Sequence, residues 1–380
     1  MKKLLLSLLI LPALLMPGCG TVEINRSSIP LGFGADYRNN RIIFTTQIAI
    51  PSSPSKGSSG PQFIVQSSNG ATVAEAARRV SLSNSQYPLW SQSSIMLWGE
   101  DLARSDLALF MDFVSRNRFV RKNIPVVVTH NATIEEIFNT KPIATPYTAI
   151  AIKDLLQTQQ NELGIYTPVT LGEVISRFSA PGIEPVIPMI TLKKDKAGPQ
   201  LLLQDMAVFR GRRMVGTLNE KESRGYRLLS TKMIQGGLFT IPNPREPGKW
   251  VTLELSRSIA RVTPQITGGD IVMKIEITGE GNFYEQSGTA QLFTPPIFMQ
   301  LQGAADRELT SQAATCIAKA QALDSDILGW GTLVHAAYPQ VWKEISPQWE
   351  QFFPEVKSDI SVKFNIRRSY LTDRSFVFRE

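Results

Sequence analysis

Residues 250–278 read WVTLELSRSIARVTPQITGGDIVMKIEIT. Val251, Leu253 and Leu255 alternate with Thr252, Glu254 and Ser256, and Ile271, Met273, Ile275 and Ile277 alternate with mainly polar partners. A side-chain period of two sends alternate residues to opposite faces of a strand, so each run has an apolar face and a wet one. Ile259–Ile266 and Asp270–Thr278 are separated only by Thr267-Gly268-Gly269, which turns one strand back on the next. One face packed and one in water is the pattern of antiparallel pairing. A further period-two run follows near the end, with Ile360, Val362, Phe364 and Ile366. Between them, from Arg307 to about Ala337, Leu309, Ala313, Cys316, Ile317, Ala320, Ile327, Trp330 and Val334 recur at steps of three and four, which predicts one long helix. Gly329 and Gly331 inside it each cost about 1 kcal/mol relative to Ala and mark a kink or a close approach of another backbone. The C-terminal part is therefore expected to be an antiparallel sheet packed on a long helix.

Upstream the texture differs. Thr72/Glu75, Thr133/Glu136 and Thr170/Glu173 are T-x-x-E capping boxes, each followed by apolar residues at helical spacing. Glu100–Arg116 is a further helix candidate, with Leu102, Leu107, Leu109, Phe110 and Phe113. Arg41–Ile50, Gln62–Gln66, Ser94–Trp98 and Ile124–Thr129 are short apolar strand candidates, and Pro51–Pro61 is a Ser/Gly/Pro loop. Strands alternating with helices predict an α/β region up to about residue 190. Asp205–Arg210 and Arg213–Leu218 flank Gly211-Arg212 as a hairpin. The polar turn at 193–199 and the Pro-rich break at 242–248 are the expected boundaries. The fold class is mixed α/β, or α+β, in several domains: a signal peptide at 1–18, an α/β domain at 19–195, a middle β-rich unit at 196–245 and an α+β domain at 246–380.

The N-terminus carries an address. Lys2 and Lys3 precede Leu4–Leu15, an apolar run too short for the roughly 20 residues of a spanning helix and of the length of a secretory core. Met16-Pro17-Gly18-Cys19 follows, and a Cys directly after a small residue resembles a bacterial lipobox. Cys19 is then the lipidation site and the first residue of a 362-residue mature chain, whose formal net charge falls from +7 to +5 with the loss of Lys2 and Lys3. Two or more acyl chains anchor stably. Of the two cysteines only Cys316 then remains, which excludes an intrachain disulfide; its Ala-rich helical surroundings make it a buried small hydrophobe.

The order of several motifs resembles the Ger(x)C family, the lipoprotein C subunits of the nutrient germinant receptors of endospore-forming bacteria. Asp326-Ile-Leu-Gly-Trp-Gly331, Tyr338-Pro-Gln-Val-Trp342, Trp349 and the run from Val362 to Arg368 are similar to its C-terminal pattern. Ala207–Leu218 with Glu222 resembles its middle segment, and Gly32–Asp36, Ala76–Leu82, Gly99–Arg104 and Phe113–Arg121 its N-terminal half. The family often carries Trp-Asp after the lipid Cys, where this chain has Gly20-Thr21, although Glu23 is retained. The resemblance implies a three-domain α/β body anchored by lipid on the outer face of the spore inner membrane. It also implies assembly with integral-membrane A and B subunits, with a nutrient germinant bound by the complex rather than by this chain.

Little else in the sequence points to chemistry. GxSxG, HExxH, CxxC and P-loop strings do not occur, and His130 and His335 lie far apart. Gly279-Glu-Gly281 has no third glycine for a dinucleotide loop. Asp324, Asp326, Glu276 and Glu285 could pair as acid and base, against the plainer reading as structural acceptors or solvated charges. The basic clusters Arg116/Arg118/Arg121/Lys122, Arg210/Arg212/Arg213 and Arg367/Arg368 could meet anionic headgroups, against a solvated face. Trp342, Trp349, Phe352 and Phe353 form either an interaction patch or a satellite core. No catalytic residue, cofactor, metal ligand or nucleic-acid partner is expected, and the chain reads as a non-catalytic scaffold or signal relay. A solute-binding lipoprotein of a transport system is the alternative; it would need two similar α/β lobes.

Overall fold

The computed structural model describes residues 26–50, 62–196 and 198–369. Cys19, the signal peptide, Glu23 and the Pro51–Pro61 loop lie outside them. Two mixed sheets organise the chain.

The first sheet contains β1 (Ser27–Arg38), β2 (Arg41–Ile50), β3 (Gln62–Gly70), the two-residue β4 (Tyr87–Pro88), β5 (Ile95–Trp98), β6 (Val126–Thr129), β7 (Val186–Lys193), β8 (Gln200–Arg210) and β9 (Arg213–Leu218). Its order is β3-β2-β1-β5-β6-β7-β8-β9, with β4 beside the start of β1. The centre, β1-β5-β6-β7, is parallel, and both flanks are antiparallel. β5 and β6 are apolar without alternation because both faces are covered. Met96, Trp98, Val126 and Val128 face one core, with α1 (Val73–Arg79), α2 (Glu100–Ser105), α3 (Ala108–Arg116) and α6 (Leu171–Ser179). Ile95, Leu97 and Val127 face the other, with α4 (Ile134–Asn139) and α5 (Thr148–Glu162). The expected α/β region is thus present. The helix expected over Glu100–Arg116 is two helices: Asp106 is extended (φ −160°, ψ 113°) and its carboxylate accepts from Ala108 N–H at 2.8 Å.

Thr133/Glu136 and Thr170/Glu173 form full capping boxes. At the first site Thr72 caps Glu75 N–H, but the Glu75 carboxylate reaches Ala71 N–H rather than Thr72. A fourth box, Asn219/Glu222, opens α7 (Glu220–Leu228) with Asn in place of Thr.

The second sheet contains β10 (Ile234–Gln235), β11 (Leu238–Pro242), β12 (Trp250–Thr267), β13 (Asp270–Gln286) and β14 (Lys357–Ser369). The two runs expected at Trp250–Ser256 and Ile259–Ile266 are one 18-residue strand, carried through by bulges opposite β13. Gly268 and Gly269, at φ 61° and 93°, make the turn that pairs Thr267 with Asp270. β12 is antiparallel to β13, whereas β14 returns parallel to it. One face of this sheet packs on the long helix α8 (Pro295–Ala322), about 42 Å of helix at 1.5 Å per residue. Leu301, Ala305, Leu309, Ala313, Cys316, Ile317 and Ala320 are its buried stripe. The long helix therefore starts earlier than Arg307 and stops before Ile327. Asp324 (φ 47°) and Gly329 (φ 71°) take left-handed backbone, which ends one helix and starts α9 (Trp330–Ala337). Then follow α10 (Pro339–Ile345) and the single turn α11 (Trp349–Phe352).

The turn at 193–199 joins β7 to β8, and the break at 242–248 joins β11 to β12; each pair lies together within one sheet. Met206, Val208 and Leu218 on the first sheet share a core with α8 and the second sheet. The two lobes have different strand numbers and topologies, unlike the matched pair a solute-binding lipoprotein presents.

Candidate functional site: the seam between the two sheets

The segment that leaves α8 folds around one carboxylate. Asp326 is 5% exposed. Its Oδ1 accepts from Trp330 N–H at 3.0 Å, and its Oδ2 from Gly331 N–H at 2.7 Å and Trp349 Nε1–H at 3.0 Å. Asp326 thus caps the start of α9 and pins α11 to it. Burial pushes its pKa up to about 6, against the downward pull of these N–H donors. With three N–H donors on its two oxygens, it acts as a structural acceptor.

The same segment stitches the lobes together. Glu184 N–H donates to Asp326 O at 2.8 Å, and Thr332 N–H to Gly182 O at 3.2 Å. Thr332 Oγ1 donates to Pro181 O at 3.0 Å, and Ser325 Oγ to Phe209 O at 2.5 Å. Arg177 Nη1 donates to Glu184 O at 3.1 Å and Ile327 O at 3.2 Å. Around this lattice the aromatic rings interlock: Trp342–Trp349 at 5.3 Å and Trp330–Phe353 at 5.6 Å between centroids. Trp342, Trp349 and Phe353 are buried, so they form core, while Phe352 is 42% exposed. His335 stacks on Trp342 at 5.7 Å.

A cleft of about 630 Å³ opens beside the seam, with Phe178, Ile183, Glu184, Trp349 and Glu350 on its walls. Glu184 Oε1 accepts from Gly211 N–H at 3.0 Å, in the β8–β9 turn. Burial, with Glu350 and Asp326 nearby, pushes its pKa up to about 7. Glu184 and Arg177 escape sequence reading because no local pattern marks them: Arg177 reaches Ile327 O, 150 residues on, and the Glu184 carboxylate takes the Gly211 N–H, 27 residues on.

The other singled-out residues are apart from this site. Asp324 pairs with Arg210 at 3.0 Å, and Arg212 with Asp106 at 3.3 Å. Glu276 pairs with Lys274 on the same strand. Arg367 and Arg257 both hold Glu280 across the second sheet. His130 Nδ1 lies 2.9 Å from Glu100, which also holds Arg104, a structural cluster at the ends of β5 and β6. Asp36, in the first family-like segment, is buried at the end of β1 and pushed up to about 6 by that burial. Cys316 is fully buried, and burial raises its thiol pKa. Among the described residues no helix is long and apolar enough to cross a membrane.

Fold and seam together define a two-sheet, mixed α/β chain closed by a buried aspartate–tryptophan lock. Residues 20–192 match the family model described as "Spore germination protein N-terminal domain". Residues 204–370 match "Spore germination B3/ GerAC like, C-terminal". Spore germination protein KC of Bacillus subtilis (strain 168) is 24% identical over 97% of this chain and 96% of its own length. Spore germination protein B3 of the same organism is 24% identical, over 91% of this chain and 93% of its own. The crystal structure of the GerBC protein superposes with a TM-score of 0.58 at 16% identity, covering 88% of this chain and 96% of that one. This chain belongs to the GerAC-like family of spore germination C subunits. The motifs around the lock, Asp326–Gly331, Trp342 and Trp349, are among those that carry the resemblance in the sequence.

Proposed function

We propose that this chain is a lipid-anchored C subunit of a nutrient germinant receptor. It would be held through acylated Cys19 at the outer face of the spore inner membrane, beside integral-membrane A and B subunits. Its role is that of a non-catalytic scaffold or signal relay, and the complex rather than this chain binds the germinant. The observation that carries this reading is the ordered match of both spore germination domains to one chain whose best-formed polar site is a structural lock. The buried carboxylate of that lock, at the edge of the cleft, is taken up by three N–H donors. Deleting the gene should abolish the germination response to one class of nutrient and leave vegetative growth unchanged. Pull-down from spore membranes should recover two integral-membrane partners with the parent chain and lose them with Cys19→Ala. Normal germination in every nutrient would sink the proposal.

A further inference from the structure

We propose that the end of the first sheet where the described chain begins, at Arg26, is a docking surface for an anionic lipid bilayer. This deepens the anchored reading above and rests on it only for the direction of the tether.

Three segments meet at that end. Ser27 and Ser28 bridge to Tyr87 and Pro88, Leu89 N–H donates to Ser28 O at 3.0 Å, and Asn84 Nδ2 donates to Ser28 Oγ at 3.1 Å. Arg121 Nε donates to Ser91 O, which ties the loop after α3 to the same place. Val80, Val114 and Val120 lie in one core beneath.

The composition of these segments is one-sided. The chain as a whole has 40 Lys and Arg against 33 Asp and Glu, yet residues 26–30, 78–92 and 116–124 contain no acid at all. Among their cations Arg79 and Arg116 are neutralised by Glu75 and Asp112. Arg26, Arg78, Arg118, Arg121 and Lys122 are exposed and have no carboxylate among the ion pairs of the described residues. Set among them are four large side chains in water: Leu82 at 81% exposed, Tyr87 at 65%, Phe119 at 55% and Ile29 at 40%. The Arg118 guanidinium rests 4.8 Å above the Phe119 ring. Cations attracted to anionic headgroups, with aliphatic and aromatic groups able to enter the interface, make the composition of a peripheral membrane surface. A phosphate backbone would satisfy the cations but offer nothing to Leu82.

The tether points the same way. Six residues lie between Cys19 and Arg26, and the seven Cα–Cα steps span at most roughly 25 Å fully extended. An acylated Cys19 therefore keeps this end close to the bilayer.

The test uses the full mature chain carrying Cys19→Ala, so that binding does not depend on acylation, which is read separately from the mass of the wild-type chain extracted from membranes. Flotation is measured with phosphatidylcholine vesicles, with and without about 30 mol% phosphatidylglycerol. Binding is expected with the anionic vesicles alone, and is expected to vanish in about 500 mM NaCl. R78E/R118E should weaken it by about twenty-fivefold or more, roughly fivefold for each cation removed. Leu82→Ser with Tyr87→Ser should weaken it without altering its salt dependence. Absence of binding to anionic vesicles, parental binding by a folded R78E/R118E chain, or tighter binding to short duplex DNA than to the vesicles would each overturn the proposal.

Discussion

Gly182 and Gly331 press backbone against backbone: a Cβ on either would stand 2.6 Å from the Cα of the other. Gly182 belongs to the approach to β7 and Gly331 to the first turn of α9, so here the backbones of the two lobes touch. The same added atom at Gly331 would also lie 2.7 Å from Trp349 Nε1. The glycine is there because no side chain fits between the lock and the neighbouring lobe.

Gly331→Ala should accordingly open the seam, with a loss of about 2–3 kcal/mol from overpacking. Gly303, inside α8, is its control. Its Cβ would meet only Arg307 Nη1 at 3.6 Å, and Gly303→Ala should stabilise the chain by about 0.5–1 kcal/mol. Urea denaturation measures both, and limited proteolysis near residues 180–184 should accelerate only in the Gly331 variant.

Removing the Asp326 carboxylate leaves three buried N–H donors without an acceptor. Asp326→Ala should cost about 3 kcal/mol or more, and Asp326→Asn, which retains one carbonyl oxygen, about 1–2 kcal/mol. Trp349 fluorescence should shift to the red in both, because the indole N–H loses its anchor and meets water. An unaltered spectrum in a destabilised Asp326→Ala chain would show that the lock does not hold α11.

Glu184 contributes a pH dependence of definite sign. Burial raises its folded pKa from 4.5 to about 7, so the fold favours the protonated form. The stability it contributes is fully present below about pH 4.5 and is lost as pH rises through 7. Glu184→Gln keeps an acceptor for Gly211 N–H and removes the charge. It should raise the free energy of unfolding at pH 8 by roughly 1 kcal/mol after allowance for solvent screening, and match the parent at pH 4.5. A Glu184→Gln advantage that stays the same at both pH values would contradict the assignment.

Cys316 should be silent to thiol reagents in the native chain. It is fully buried in α8, and a raised thiol pKa leaves little thiolate at neutral pH. Maleimide labelling of the Cys19→Ala mature chain should require denaturant, and native labelling at a rate near that of a free thiol would show that α8 opens readily.

What was legible in the sequence was what repeats locally. The period-two runs of β12, β13 and β14 and the three-and-four spacing of α8 declare themselves because each residue's burial follows from its neighbours one turn or one pleat away. Two of the Thr boxes, at Thr133 and Thr170, and the β8–β9 hairpin declare themselves for the same reason. The helix expected to run on to Ala337 failed where continuity of pattern concealed a turn. Ile327, Trp330 and Val334 are buried as the spacing requires, but against the seam, after a left-handed residue has broken the helix. The fourth capping box went unread because Asn does at 219 what Thr does elsewhere. In the candidate site, Asp326, Gly331, Trp342 and Trp349 were visible as motif letters, but not what they hold.

The sequence by itself determined the period of each element and the family-like order of motifs. These are properties of neighbours along the chain. Only the tertiary structure decided that β14 returns parallel to β13, that one sheet runs through the turn at 193–199, and that Asp326 closes on an indole from another helix. It also gathered the acid-free segments around Arg26, Tyr87 and Arg121 onto one end. The physical reason is the same in each case: the partners are brought together by burial of apolar surface across long loops, and no local spacing records which distant backbone will supply the missing acceptor.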